Sequence, residues 1–325
     1  MDNNAARFRE ALLKIAEIAR SAAGNGHDAH GHKTFKGGGR VALTCSPRIL
    51  PKRLLIEAAK TARTINPVNA PALAPFAAAG VQDPLRIAVL TSKYWGPSPR
   101  TLTVSFMEPA PDDLRAKILQ HMNAWTDTAC ISFVETQGVG QVRISREGSG
   151  YWSYLGTDIL HIPANLPTMN LQDFSMGTPD SEYNRVVRHE TGHTLGFPHE
   201  HMRKDLVARI DRDKAYQYFS DTQGWDKDTV DQQVLTPLDE QSLMGTPADQ
   251  TSIMCYQLPA EITVDGDPIL GGLDINQTDY QFAGKIYPKA GQAVRKVSGG
   301  AERAIRLSED WDPSEDVRDA AQLAM

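Results

Sequence analysis

Three cysteines in 325 residues, Cys45, Cys130 and Cys255, are too few to staple a fold with a disulfide framework. No apolar run is long enough to span a bilayer. Basic charge is in deficit: 34 Lys and Arg stand against 40 Asp and Glu, a formal net charge of -6, which disfavours a nucleic-acid groove. The first ten residues, Met1 to Glu10, lack the basic start and apolar core of a secretory leader. The missing leader and the scarce cysteines together lead to the expectation of a cytoplasmic chain, or one exported by a leaderless route. The composition that remains, 41 % hydrophobic and 23 % charged, is that of an ordinary globular protein. Its length suits one large domain or two small ones.

Punctuation divides the chain into an extension over 1–80, a main domain over 81–290 and an acidic, loosely ordered tail over 291–325. In the extension, Phe8, Leu12, Ile15 and Ile18 recur at helical steps, so 7–23 is expected to be an amphipathic helix. A glycine-rich stretch with His27, His30 and His32 follows; it reads as a linker, with weak metal binding as the alternative. Leu54 to Lys60 fits a second helix, and Asn66-Pro67 to Pro75 breaks regular structure. In the main domain, 101–106 alternates and reads as a strand, 131–134 and 142–144 read as two more, and 151–155 and 159–162 are expected to add another pair. Between them, Asp112 or Asp113 caps a helix carrying Leu114, Ile118, Met122 and Trp125.

Every fixed position of His189-Glu190-Thr191-Gly192-His193-Thr194-Leu195-Gly196-Phe197-Pro198-His199 has a mechanical reason. His189 and His193, four apart, leave a helix from one face and can meet a single ion. Glu190 stands beside them as a base for a water that the metal activates. Gly196 can take a positive φ and stop the helix, and Pro198 suits the turn that brings His199 back as a third ligand. Three histidines without a fourth protein ligand describe a catalytic rather than a structural zinc site. Ser181 is the expected cap of this helix. The chain beyond His199 reads as mostly irregular, with a final helix from Asp274 that turns Tyr280, Phe282, Ala283 and Ile286 inward.

A second motif, Ser252-Ile253-Met254-Cys255-Tyr256, resembles the Met-turn of the metzincin zinc endopeptidases, and with the first motif it makes the chain similar to the astacin-like family. Glu200, Asp211-Arg212-Asp213, the 129–133 segment and Ser153-Tyr154-Leu155-Gly156 extend the resemblance. It implies an α+β zincin (metzincin) fold: a small, twisted, mostly parallel or mixed sheet, an active-site helix, then a largely irregular C-terminal subdomain with a final helix. It implies one catalytic zinc held by His189, His193 and His199, Glu190 as general base, Met254 beneath the metal, and Tyr256 swinging between the metal and the oxyanion. The substrate is expected to be a protein or peptide, extended along an edge strand near 153–158.

The family's disulfides and its inhibitory aspartate segment have no counterpart here. That leaves Cys45 as an alternative latch, a thiolate filling the open metal position, against the plainer reading of a free cysteine in a small core. The competing functional class is a zinc-bearing interaction module whose proteolytic activity is latent or lost. Glu190 argues against it, because a binding module needs no base there.

Overall fold

The computed structural model describes residues 45, 48–70, 91–237 and 248–289. The expected helix over 7–23, the glycine- and histidine-rich stretch and the acidic tail lie outside the described residues, as do most of the expected domain boundaries.

Five short strands form one mixed sheet: β1 (Arg100–Phe106), β2 (Ile131–Glu135), β3 (Val142–Ser145), β4 (Tyr151–Ser153) and β5 (Met169–Leu171), in the order β2-β1-β3-β5-β4. The pairs β1/β2, β1/β3 and β3/β5 are parallel, and β4 runs antiparallel to β5 as the terminal strand. Alternation sets which face is covered: Leu102 and Val104 of β1 are fully buried between more exposed neighbours. In β3 all four residues are buried, as expected of an interior strand covered on both faces.

Helix α1 (Lys52–Ile65) precedes the sheet, and its buried residues are Ala58, Ala59 and Ala62. Helix α2 (Asp112–Met122) crosses from β1 to β2. Its first-turn aspartates complement the helix dipole, and Leu114, Ile118 and Met122 make one buried stripe. These join Trp125, Val186, Val187, Leu195 and Phe197 in the main core. A second core collects Leu206, Ile210, Phe219, Val234, Tyr256, Leu258 and Ile269, together with Cys45 and Cys255.

Two connections depart from the sequence expectation. Residues 159–162 do not form a strand; they lie in and just after a 3₁₀ segment, Gly156–His161. Gly156 turns the chain with φ 47°, where a Cβ would stand 1.9 Å from the Lys93 carbonyl oxygen. The segment then tucks Asp158 inside, 3.5 Å from Lys93 Nζ. The strand that completes the sheet is instead β5. Among the described residues beyond His199, a further helix precedes the expected final one: α4 (Arg212–Gln223) is capped by Asp211 and ended by Gly224 at φ 69°. Only Ala215 and Phe219 of α4 are buried, so it carries almost no apolar stripe to read.

The final helix α5 (Gln277–Ile286) starts later than Asp274, at a reciprocal capping box between Asn276 and Asp279. The turn leading to the metal motif begins at Asp180 after Pro179, so Ser181 lies inside it rather than capping it.

Arg143 shapes the wall beside the sheet. It is 5 % exposed and donates to five backbone carbonyls: Nε to Leu166, Nη1 to Gly140 and Gln141, Nη2 to Ile162 and Pro163, at 2.8–3.4 Å. Burial pulls its pKa down, and the carbonyl dipoles take the place of a counter-ion.

Candidate metal centre

Helix α3 (Arg188–Thr194) carries the first two histidines and is preceded by a π-helical turn, Tyr183–Val187. Both of its ends are held by side chains distant in sequence. Trp95 Nε1 donates to the Thr194 carbonyl at 2.8 Å, the Tyr287 hydroxyl donates to that of Leu195, and Trp125 Nε1 donates to that of Arg188 at 2.8 Å. The last-turn carbonyls of Thr194 and Leu195 have no partner within the helix, so the first two donors both pair them and fix where the helix stops. Gly196 then takes φ 96°, and His199 returns toward the helix. Sequence reasoning gave Trp95, Trp125 and Tyr287 no part in the site, and no local pattern assigns them one.

His189, His193, His199 and Cys45 converge, with one donor atom from each lying within 4.8 Å of all the others. Nε2 of His199 is 3.2 Å from that of His189 and 3.0 Å from that of His193. The tautomers follow from the outer partners. Nδ1 of His189 faces the Ile253 carbonyl at 2.6 Å, and Nδ1 of His193 faces the Phe197 carbonyl at 2.8 Å. A carbonyl only accepts, so both Nδ1 atoms carry the proton and both Nε2 lone pairs point at the common centre. Lone pairs gathered so closely repel unless a cation lies between them, so the donor set fits a metal. Burial keeps all three rings neutral: it lowers His189 to about 4 and takes His193 and His199 well below the ordinary imidazole value. Neutral imidazole is the ligating form.

Glu190 is 1 % exposed, and burial pushes its carboxyl up to about 8, against the Cys45 hydrogen bond and the Arg185 charge. Cys45 Sγ lies 3.4 Å from Glu190 Oε2. Burial first, then the Glu190 charge, holds that thiol well above its usual value. Tyr256 also borders the cluster. Its ring centroid is 4.1 Å from that of His199, it stacks on His201 at 13° and 4.1 Å, and its hydroxyl donates to the Cys45 carbonyl.

Met254 packs beneath the helix at Gly192, where a Cβ would stand 2.4 Å from its sulfur. The turn around it supplies two fixed carbonyls: Ile253 O orients His189, and Met254 O accepts from Glu200 N at 2.8 Å. Asp279 holds that turn, accepting from Ser252 Oγ at 2.6 Å and from Ile253 N at 2.9 Å. Cys255 is buried in the second core and is not among the converging donors. Glu200 accepts from Asp249 N at 3.1 Å, and burial pushes it up to about 7. Asp211 serves as a helix cap and stands outside the cluster.

Residues 90–267, more than half of the chain, match the family model of the Astacin peptidases. The zinc metalloproteinase nas-27 of Caenorhabditis elegans is 34 % identical over 101 residues, covering 31 % of this chain and 22 % of that protein. Zinc metalloproteinase nas-28 of the same organism is 27 % identical over 150 residues, covering 46 % and 27 %. The chain therefore spans about a quarter of the length of these curated relatives. The solved structure of myroilysin superposes with a TM-score of 0.57 at 32 % identity, covering 61 % of this chain and 96 % of that one. The two-motif resemblance, the mixed α+β sheet with its metal helix and the family match agree: the chain belongs to the astacin family of zinc peptidases.

Proposed function

We propose that the chain is a zinc-dependent endopeptidase whose described form is latent. The observation that carries this reading is the convergence of three neutral imidazoles beside a buried carboxylate, with a thiol at the remaining position. In the proposed site His189, His193 and His199 hold the ion. Zinc bound there supplies Lewis acidity, lowering the pKa of a water and polarising a carbonyl. Glu190 takes the water's proton and passes it to the leaving amine. Its carboxyl lies in a dry pocket, 1 % exposed and next in sequence to the first ligand, which is where a base for a metal-bound water has to stand.

Tyr256 stabilises the oxyanion. Support comes from its present partner, because the phenol already donates to a peptide carbonyl, that of Cys45, inside the cleft. Strand β4 offers the edge for an extended substrate. The same edge already accepts chain in this structure, through bridges from Cys45 to Tyr151 and from Arg48 to Tyr154. Residues 155–158 leave this edge for the 3₁₀ segment that begins at Gly156, so the platform is shorter than the sequence expectation of 153–158.

Cys45 acts as the latch. Its sulfur completes a four-donor Cys/His set, which is how closed zinc sites are built. Residues 1–80 would then be an inhibitory pro-segment ahead of a catalytic domain. The competing reading, an interaction module without proteolysis, leaves the buried Glu190 carboxyl without a purpose. Casein zymography of the full chain should show chelator-sensitive clearing. Glu190→Ala should keep its zinc by elemental analysis while the clearing vanishes. Full residual proteolysis in that variant would refute the assigned base. Cys45→Ser should raise peptide hydrolysis by the intact chain, and unchanged rates would rule out the latch.

A further inference from the structure

The latch thiol is one point of a longer attachment. Arg48 N donates to the Ser153 carbonyl at 3.1 Å, and the Arg48 guanidinium lies 4.7 Å from the Trp152 ring centre. Leu50, Ala58 and Ile162 share a small dry core with Leu54, Leu55 and Tyr154. Thr61 Oγ1 meets His161 Nε2 at 3.0 Å. At the far end of α1, Asn69 is 1 % exposed. Its Nδ2 donates to the carbonyls of Ala62 and Tyr94, both at 2.8 Å, and its Oδ1 accepts from Tyr94 N at 3.0 Å. Ser92 N also donates to the Asn69 carbonyl at 3.1 Å. Asn69 thus pairs with both polar groups of the Tyr94 backbone, as a strand neighbour would, while closing the end of α1. A buried amide with all of these partners is costly to pull out, because the Tyr94 groups would be left unpaired.

We infer that Cys45 and residues 48–69 belong to a strap that docks on the body without needing a covalent link to it, with Asn69 as its clip. A cut anywhere between residues 71 and 90 then leaves a two-piece latent protein rather than a free enzyme. Loss of the strap, not the cut, is the activating event. The inference rests on the proposed peptidase reading for its consequence, but the docking stands on geometry alone. Two features predict retention after a cut. The contacts extend from the metal cluster to Tyr94, so several must break together. The strap also buries the side chains of Leu50, Ala58 and Ala62.

The test uses the zinc-loaded full chain with a site-specific protease sequence inserted between residues 80 and 81. After complete cutting, both pieces should co-elute on size exclusion at micromolar concentration, and hydrolysis of a quenched peptide should stay within about twofold of the uncut chain. Asn69→Ala should behave like the parent while uncut, because the covalent link keeps the strap at high effective concentration. Once cut, it should release the N-terminal piece at least about tenfold more readily. Ala62→Glu, which puts a charge on the dry face of α1, is the second variant and should do the same. Separation of the cut parent without denaturant would overturn the inference. So would equal retention of the cut parent and both cut variants. Elution decides the strap, and chelator-sensitive hydrolysis by the separated body independently decides the peptidase reading.

Discussion

Removing the Asp279 carboxylate should loosen the metal centre without touching a ligand. Asp279→Ala strips the acceptor from three donors at once: the Ser252 hydroxyl, Ile253 N–H and Asn276 N–H. Each buried orphan costs about 1–3 kcal/mol. Part is returned, because burial already disfavours the ionised carboxylate and raises its pKa. A net loss of about 3–5 kcal/mol follows, which lowers Tm by about 6–20 °C for a domain of this size. The Ile253 carbonyl orients His189, so the slackened turn should also weaken zinc by about 10–100-fold. Asp279→Asn keeps an oxygen for the two N–H groups and should cost only about 1–2 kcal/mol. Calorimetry measures the first quantity, and competition with a chromophoric chelator measures the second. An Asp279→Ala protein with parental Tm and parental zinc affinity would refute the reasoning.

Tyr256→Phe should cut kcat by about 10²-fold with little change in KM, measured on the strap-free body; an unchanged kcat would remove the oxyanion role. Burial first, against the Lys93 charge, raises Asp158 to about 6, compared with about 4 in an unfolded chain. The fold holds the extra proton between those values, so this stability is full below pH about 4 and is lost as pH rises through about 6, by at most about 3 kcal/mol. Denaturant titrations of the parent and of Asp158→Asn should therefore differ in slope across that window, and parallel curves would disprove it. Arg143→Met leaves five carbonyls without their donor and should cost about 3 kcal/mol or more, read as a fall in the urea midpoint.

The metal helix was legible because its chemistry is local: two imidazoles four apart, a carboxylate beside the first and a glycine that lets the chain turn are all fixed by helix geometry. Strand β1 was legible by the alternation of its residues, and α2 by its stripe of Leu114, Ile118 and Met122. Cys45 could be read only as an option, since a single thiol 144 residues before His189 carries no spacing rule, and only the fold brings the two together. Asp279 and Gly192 were missed for the same reason. One caps a helix and holds a remote turn with the same carboxylate, and the other is defined by the sulfur packed against it. The expected strand over 159–162 failed because Gly156 bends the chain and buries Asp158 beside Lys93, a pairing that alternation of apolar residues does not encode.

The grip of Arg143 has one more result. Main-chain oxygens are the same whatever residue bears them, so a guanidinium that gathers five of them recognises a path rather than a spelling. Leu166, whose side chain is exposed, can be exchanged without losing its carbonyl from that grip, whereas Gln141 also accepts from Thr103 N and Ile162 packs with Leu50 and Ala58. A change of side chain at Leu166 therefore leaves the path of the chain around Arg143 in place, because that contact is made to the backbone alone.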